Sequence, residues 1–399
     1  MTAASPTSTP ATTTPATTTP AGGADHPSGV GGETRARGRE ARSAPLLTPA
    51  RRTALVLLAL GGMLVVSVAV CVALGPVNVP VDAQLRVIWA HLSGREPAAA
   101  DARFDAIVWN LRLPRVLLGA LAGAGLAVVG AVLQALLRNP LADPFILGTS
   151  YSAGVGAVTV TLAGSSIAGV YTLSAGAFTG AAAATALLFL LAGRGPEGGT
   201  ARLLLAGVAL SFIAQSITNL IVLIGDDSGG QAARAVLFWL MGGLGGARWT
   251  SLVVVACVLA LTLPMLGLTA RTLDALMMGE QTAASIGVEP GRVRVRLFLI
   301  TSLMTGSLVA VCGGIGFVGL MMPLFTRLLL RTAENARVLP VCALLGAIFL
   351  VWADLLARMV IQPAELPVGL VTALVGGPLF LWMLLRRGSR GGIGFGALR

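Results

Sequence analysis

The chain has 399 residues, 55% of them hydrophobic and only 11% charged, with a mean hydropathy of +0.84, whereas a water-soluble domain carries about a quarter charged residues. Its net charge of +11 comes entirely from arginine, since the sequence contains no lysine; this excludes a phosphate-binding GxxxxGK[ST] loop and any lysine Schiff base on this chain. The four cysteines (Cys71, Cys257, Cys312, Cys342) sit far apart inside apolar runs, and the two histidines (His26, His91) lie in polar stretches, so they are read as small buried hydrophobes and solvated side chains rather than as a disulfide framework or a metal site.

Residues 1–46 are rich in Thr, Pro, Ala and Gly. Such a segment buries too little apolar surface to offset its ordering entropy and is expected to be a disordered cytoplasmic tail. The first apolar run begins only after Arg51-Arg52, too late for a signal peptide. Apolar runs near the spanning length of about 20 residues predict ten crossings, at 53–74, 115–137, 145–163, 171–192, 201–224, 250–269, 293–314, 320–332, 339–361 and 368–385. The eighth is too short to span alone and reads as a half-helix, tolerated where protein or water covers its ends. These crossings define a membrane domain over 47–387, followed by a short basic tail at 388–399.

A cytoplasmic start puts 20 arginines inside and eight outside: Arg86, Arg95, Arg103, Arg112, Arg115, Arg234, Arg248 and Arg358. Arginines at the ends of apolar runs, biased to one side, follow the positive-inside rule and not a nucleic-acid footprint, and both termini are expected in the cytoplasm. Ten crossings divide into two groups of five, and an odd group reverses direction, so an internal repeat would have inverted topology. The Gly125–Gly130 stretch faintly echoes Gly306–Gly313.

Two segments between crossings stand out. From Arg112 to Gly156 the chain reads RLPRVLLGALAGAGLAVVGAVLQALLRNPLADPFILGTSYSAGVG. Pro114 suits a helix start, Gly119 and Gly123 are spaced for close helix contact, and Asn139-Pro140 is a break. These features equally suit a tightly packed helix pair with a rigid turn. The second, GEQTAASIGVEPGRVRVR from Gly279 to Arg296, is the longest clearly polar segment between crossings and lies on the arginine-rich side. Leu273, Leu276, Met277 and Ile286 predict one apolar face of a short interfacial helix ended by Gly287. Its size and central position point to a docking element; an ordinary solvated loop is the plainer reading.

Together with GGIGFVGLMMP at 313–323, ADLLAR at 353–358 and PAELPVGLVTALVGGPLFLWML at 363–384, these stretches resemble the FecCD-type permeases, the membrane subunits of importers for iron siderophores, haem and cobalamin. The resemblance covers about residues 53–387. It implies an all-α membrane protein with about ten transmembrane helices and an inverted five-helix repeat, a BtuC-like type II importer permease in the cytoplasmic membrane. Its implied partners are a second permease copy or paralogue, two cytoplasmic ATP-binding-cassette subunits that hold the ATP and Mg, and an extracytoplasmic binding protein that delivers the cargo. This chain itself would bind no cofactor or metal and catalyse no reaction.

Site residues follow from the same resemblance. Arg112, Arg115 and Arg358 resemble outward arginines that meet acidic residues of the binding protein, a role suited to bidentate guanidinium pairing; snorkelling of the first two, and an internal Arg358–Asp354 pair, are the alternatives. Gly279, Glu280, Ala283, Ala284 and Gly287 resemble the coupling segment that sits in a groove of the ATPase. Crossings five and ten line the path in the family, which points here to Ser211, Gln215, Ser216, Thr218, Asn219 and Thr372, with interhelical hydrogen bonding as the alternative. One departure is Leu324, where the family usually has histidine after the proline.

A secondary transporter would need ionisable groups at mid-membrane, and the sequence offers few. An intramembrane enzyme would need a motif such as HExxH or GxSxG, which is missing from the sequence.

Overall fold

The computed structural model describes residues 49–162, 172–192, 199–224, 237–362 and 364–388. The tail at 1–46, the end of the chain from 389, Arg194, Arg234 and the link between crossings three and four lie outside the described residues. Among the described residues the chain is helical and contains no strand.

Helix α1 spans Pro49–Ala73, α2 Val81–Leu92 and α3 Ala102–Ile107. A five-residue π turn, Val108–Arg112, joins α3 to α4 (Leu113–Leu136). Then come α5 (Thr149–Leu162), α6 (Thr172–Ala192), α7 (Gly199–Ile224), α8 (Trp249–Leu268), α9 (Ala270–Met278) and α10 (Glu280–Ser285). The last four are α11 (Pro290–Cys312), α12 (Val318–Leu330), α13 (Asn335–Met359) and α14 (Val368–Gly388). Six spans, within α1, α3–α4, α7, α8, α11 and α13, are long and apolar enough to cross a membrane; α6, α12 and α14 are shorter apolar helices. With the 14-residue α5, every predicted crossing has its helix. This is a multi-pass membrane protein.

Helix α4 is the axis of the bundle, with 78% of its most apolar window buried, against 22% for α1 and 17% for α7. It packs on α13, α12, α11 and α8. Close approach to α13 depends on small residues: a Cβ at Gly123 would fall 2.1 Å from the Gly346 carbonyl oxygen. Leu118, Leu126, Val129 and Leu133 fill the space around that contact. The exposed apolar faces of α1 and α7 have no water-soluble counterpart and suit lipid or a second chain.

The packing partners follow an inverted repeat. Helix α4, second in the first group of five, packs on α12 and α13, third and fourth in the second group; α11, second in that group, packs on α5 and α6, third and fourth in the first. The half-helix α12 has only 13 residues. Its preceding loop is covered by residues 239–243, with the Gly243 amide donating to the Cys312 carbonyl at 2.8 Å. The third crossing starts later than expected, as a short 3-10 turn at Pro144–Leu147 and then α5, with Gly148 left-handed at φ 77° between them. Cys71, Cys312 and Cys342 are buried, but Cys257 is exposed on α8, contrary to the sequence reading.

Pro114 stands in the first turn of α4, as expected, although the π turn before it joins α3 to α4 without a break. A proline there has no N–H to give to the carbonyl five residues back. That carbonyl, Trp109 O, instead accepts the indole N–H of Trp249 at 2.9 Å.

Candidate functional site

One end of the bundle carries α2 and α3 together with the end of α1, the start of α4 and the end of α13. Arg112 is only 5% exposed. Its Nη1 donates to the Val72 and Ala73 carbonyls at 3.1 and 3.0 Å, and its Nη2 donates to Val77 O. The last carbonyls of a helix lack intrahelical donors, so this guanidinium caps α1. Gly75 leaves it room, since a Cβ there would lie 2.7 Å from Nη2. Arg358 is 3% exposed and pairs with Asp354 at 3.0 Å while reaching the Cys71 carbonyl at 3.3 Å. Arg115 bridges two carboxylates, Asp354 at 2.9 Å and Glu365 at 2.8 Å.

The expectation that all three arginines face outward is therefore corrected for Arg112 and Arg358. Both point inward, where the carbonyls at the end of α1 and the Asp354 carboxylate accept their N–H hydrogen bonds. Arg115, whose side chain is 11% exposed, reaches toward the rim through Glu365. Of the other arginines at this end, Arg86 is engaged with Asp82 and Asp101 at 2.6 and 3.0 Å. Arg95, Arg103 and Arg248 are exposed, with Arg103 over the Phe104 ring. His91 stacks on Trp109 at 4.1 Å and its Nε2 lies 2.6 Å from Asp105.

The opposite end carries α9 and α10. The chain does not form the single interfacial helix read from the sequence. Gly279, at φ 123°, breaks it into two, and Ile286 is 65% exposed instead of joining the apolar face of Leu273, Leu276 and Met277. Gly287, at φ 84°, ends α10 as expected. Ala283 is fully buried; Ala284 and Gly287 are exposed, and Glu280 pairs with Arg294. The tip thus presents small residues on a rigid double bend.

Behind that tip lies a buried polar cluster. Asp274 on α9 accepts from the backbone N–H of Asn335 at 2.9 Å and from its side-chain Nδ2 at 2.7 Å, capping α13. Burial pushes the Asp274 carboxyl up, the two Asn335 donors oppose this, Glu334 raises it further and Arg327 lowers it. Arg327 on α12 donates to Gln134 of α4 at 2.7 Å, and Leu324 is buried one turn before it. Asp274 and Asn335 escaped the sequence reading because isolated polar residues between crossings carry no periodic signal.

Between the ends, a cavity of about 570 Å³ opens among α5, α7, α12 and α14. Gln215, Thr218 and Asn219 line it from α7, at the i, i+3, i+4 spacing of one helical face. Tyr151, Trp239 and Phe317 give it aromatic walls. Of the remaining residues expected on the path, Ser211 is half-buried and donates to its own helix, and Ser216 is exposed elsewhere on α7. Thr372 is fully buried and donates to Gly369 O at 3.0 Å; α14 instead offers Gly369 and Ala373 to the cavity. Asp143 also lines it, from the turn between α4 and α5. Burial pushes its carboxyl up to about 6, against the pull of the Phe145 amide.

The FecCD transport family model matches residues 63–386. The chain is a member of the FecCD transport family. It is 39% identical over 323 residues to the hemin transport system permease protein HmuU of Yersinia pestis, covering 80% of this chain and 93% of that one. It is 44% identical over 284 residues to the vitamin B12 import system permease protein BtuC of Vibrio cholerae, covering 70% and 83% respectively. A solved structure of an inward-facing metal-chelate type ABC transporter superposes with a TM-score of 0.71 and 27% identity, over 84% of this chain and 99% of that one. As a FecCD protein, the chain is the membrane permease subunit of an ABC importer.

Proposed function

We propose that this FecCD permease moves a ferric siderophore inward across the cytoplasmic membrane, with both termini in the cytoplasm. The α9–α10 end then faces the cytoplasm and the α2–α3 end faces outward. The cavity carries this reading: about 570 Å³ with aromatic walls and uncharged polar groups from α7 suits a bulky complex that must pass without tight binding. The exposed faces of α7 and α14 pair with a second copy or paralogue, doubling the space available. ATP and Mg are held by a separate ATPase dimer, whose groove takes Ala284 and Gly287 at the tip of the coupling segment. An extracytoplasmic binding protein docks at the outer end, with the Arg115–Glu365 pair reaching the rim and Arg112 and Arg358 holding the surface in shape.

Haem and cobalamin are the competing cargoes, favoured by the names of the two relatives above. Uptake of labelled ferric siderophore, haem and cobalamin, in cells with and without this gene, decides among them. Selective loss of siderophore uptake is expected. Loss of haem or cobalamin uptake alone would replace the cargo and keep the mechanism.

A further inference from the structure

We infer that the Asp274–Asn335 contact is the joint through which movement of the coupling segment reaches the outer face, with α13 as the connecting rod. The inference rests on the importer reading above and adds a positioning pair to it.

The geometry runs in one unbroken line. Helix α9 leads directly into Gly279 and α10, so its position is set by the same element that would meet the ATPase. At its middle, Asp274 holds both the first backbone N–H and the side chain of Asn335 through one oxygen, Oδ1. Asn335 is fully buried, and its Nδ2 also lies 3.3 Å from the Met277 sulfur, one turn further along α9. The contact is therefore a two-point grip on the first residue of α13. Its carboxylate sits at the helix N-terminus, where unpaired N–H groups and the helix dipole favour negative charge.

From Asn335 the helix runs 25 residues to Met359, a rod of about 37 Å. Its far end carries Asp354 and Arg358, locked to Arg115 of α4 and to the end of α1. Glu365, at the rim, joins the same cluster through Arg115. A displacement of α9 thus pulls on a rod whose other end holds the buried Asp354 cluster, tied through Arg115 to the half-exposed Glu365. Because the cluster and the grip are both discrete hydrogen-bonded arrangements, the rod can be held in a small number of positions, as switching between packed states requires.

The buried polar cluster around the joint keeps it from sliding. Arg327 and Gln134 tie α12 to α4 beside it, and Gln134 in turn donates to the Leu320 carbonyl at 3.0 Å. Asp274 is the member of this cluster that lies on the α9–α10 element; the others belong to helices that would stay behind if α9 moved alone.

The test uses the full importer, permease with its ATPase and binding protein, in proteoliposomes. Three variants are compared with the wild type: Asp274→Ala, Asn335→Ala and Asp274→Asn, which keeps one acceptor oxygen for the backbone amide. The expected result has three parts. Melting temperature falls only by the few degrees that the loss of one helix cap costs, and basal ATP hydrolysis stays near wild type. Stimulation of hydrolysis by the docked binding protein falls about tenfold in the two alanine variants, within the usual range of coupling between sites. Cargo moved per ATP falls with it, and Asp274→Asn lies between. Unchanged stimulation and cargo per ATP in a wild type that transports would overturn the joint and leave the importer reading intact. A parallel loss of melting temperature, basal hydrolysis and uptake would also overturn it, since the pair would then be only a structural cap. A wild-type complex that neither binds the ATPase nor transports would bring down the importer reading, and the joint with it.

Discussion

The two ends of this bundle use polar residues in opposite ways. At the α2–α3 end, Arg112 and Arg358 are drawn inward by helix carbonyls and by Asp354, and Arg115 spans from Asp354 to Glu365 at the rim. At the α9–α10 end, Ala284 and Gly287 are exposed beside the solvated Glu289–Arg292 and Glu280–Arg294 pairs, and Asp274 holds Asn335 behind them. The contrast shows that a guanidinium in a membrane chain goes first to the unsatisfied groups it can reach. What is left for a partner is small residues among solvated charge pairs at one end and the exposed Arg95, Arg103 and Arg248 with the Glu365 rim at the other.

Deleting a carboxylate tests the ionic end most severely. Asp354→Ala leaves two buried guanidinium groups beside each other without their shared anion. The expected loss is about 3–5 kcal/mol of stability, read as a lower melting temperature of the purified permease and less protein in the membrane. An unchanged melting temperature would mean that the cluster is far better solvated than its burial indicates.

A bulky change at the other end is expected to act on function and not on stability. Ala284→Trp, on the exposed tip, should leave melting unchanged while ATP hydrolysis continues with at least about tenfold less cargo moved. Normal transport would remove the tip from the coupling mechanism.

Arg112 and Arg115 separate the structural from the docking role. Arg112→Ala uncaps α1 and should cost about 1–3 kcal/mol of stability with little change in the salt dependence of binding-protein capture. Arg115→Glu sets a third carboxylate beside Asp354 and Glu365, so it should lower stability too. Unlike Arg112→Ala, it should also weaken capture and flatten its salt dependence. The reverse assignment would restore Arg112 as the docking residue.

An effect confined to a pH window is expected at Asp143, whose carboxyl is pushed up to about 6 by burial. Between about pH 4 and that value, the folded chain holds a proton that the unfolded chain has released. The resulting stabilisation is full below about pH 4 and is lost as pH rises through about 6. Asp143→Asn, neutral throughout, should flatten the pH dependence of melting by about 3 kcal/mol over that interval. An equal slope in both proteins would mean that Asp143 is hydrated in solution.

Crossings were legible because some twenty apolar residues in a row leave little else to be: α8 was read at 250–269 and lies at Trp249–Leu268. The elements α2 and α3 between the first two crossings were not, since short mixed segments look like loop. Gln215, Thr218 and Asn219 could be named because the family resemblance assigns the path to crossings five and ten; the same rule named Thr372, and nothing in the sequence around it shows that it points into the bundle. The inward turn of Arg112 had a signal in retrospect: Gly75-Pro76 ends α1 without a polar cap of its own, so a donor had to come from elsewhere. The double bend at Gly279 had none beyond the glycine itself. Long-range pairs such as Asp274–Asn335, 61 residues apart, are set by tertiary packing, and no local pattern carries them.

ATP-dependent uptake tests the central claim most directly. The permease would be reconstituted in proteoliposomes with its ATPase and binding protein and offered a labelled ferric siderophore, haem and cobalamin in turn. The account predicts uptake of a metal chelate, the ferric siderophore first, that requires the ATPase, ATP and Mg and is indifferent to an imposed ion gradient. Uptake that persists without the ATPase and follows the ion gradient would contradict it.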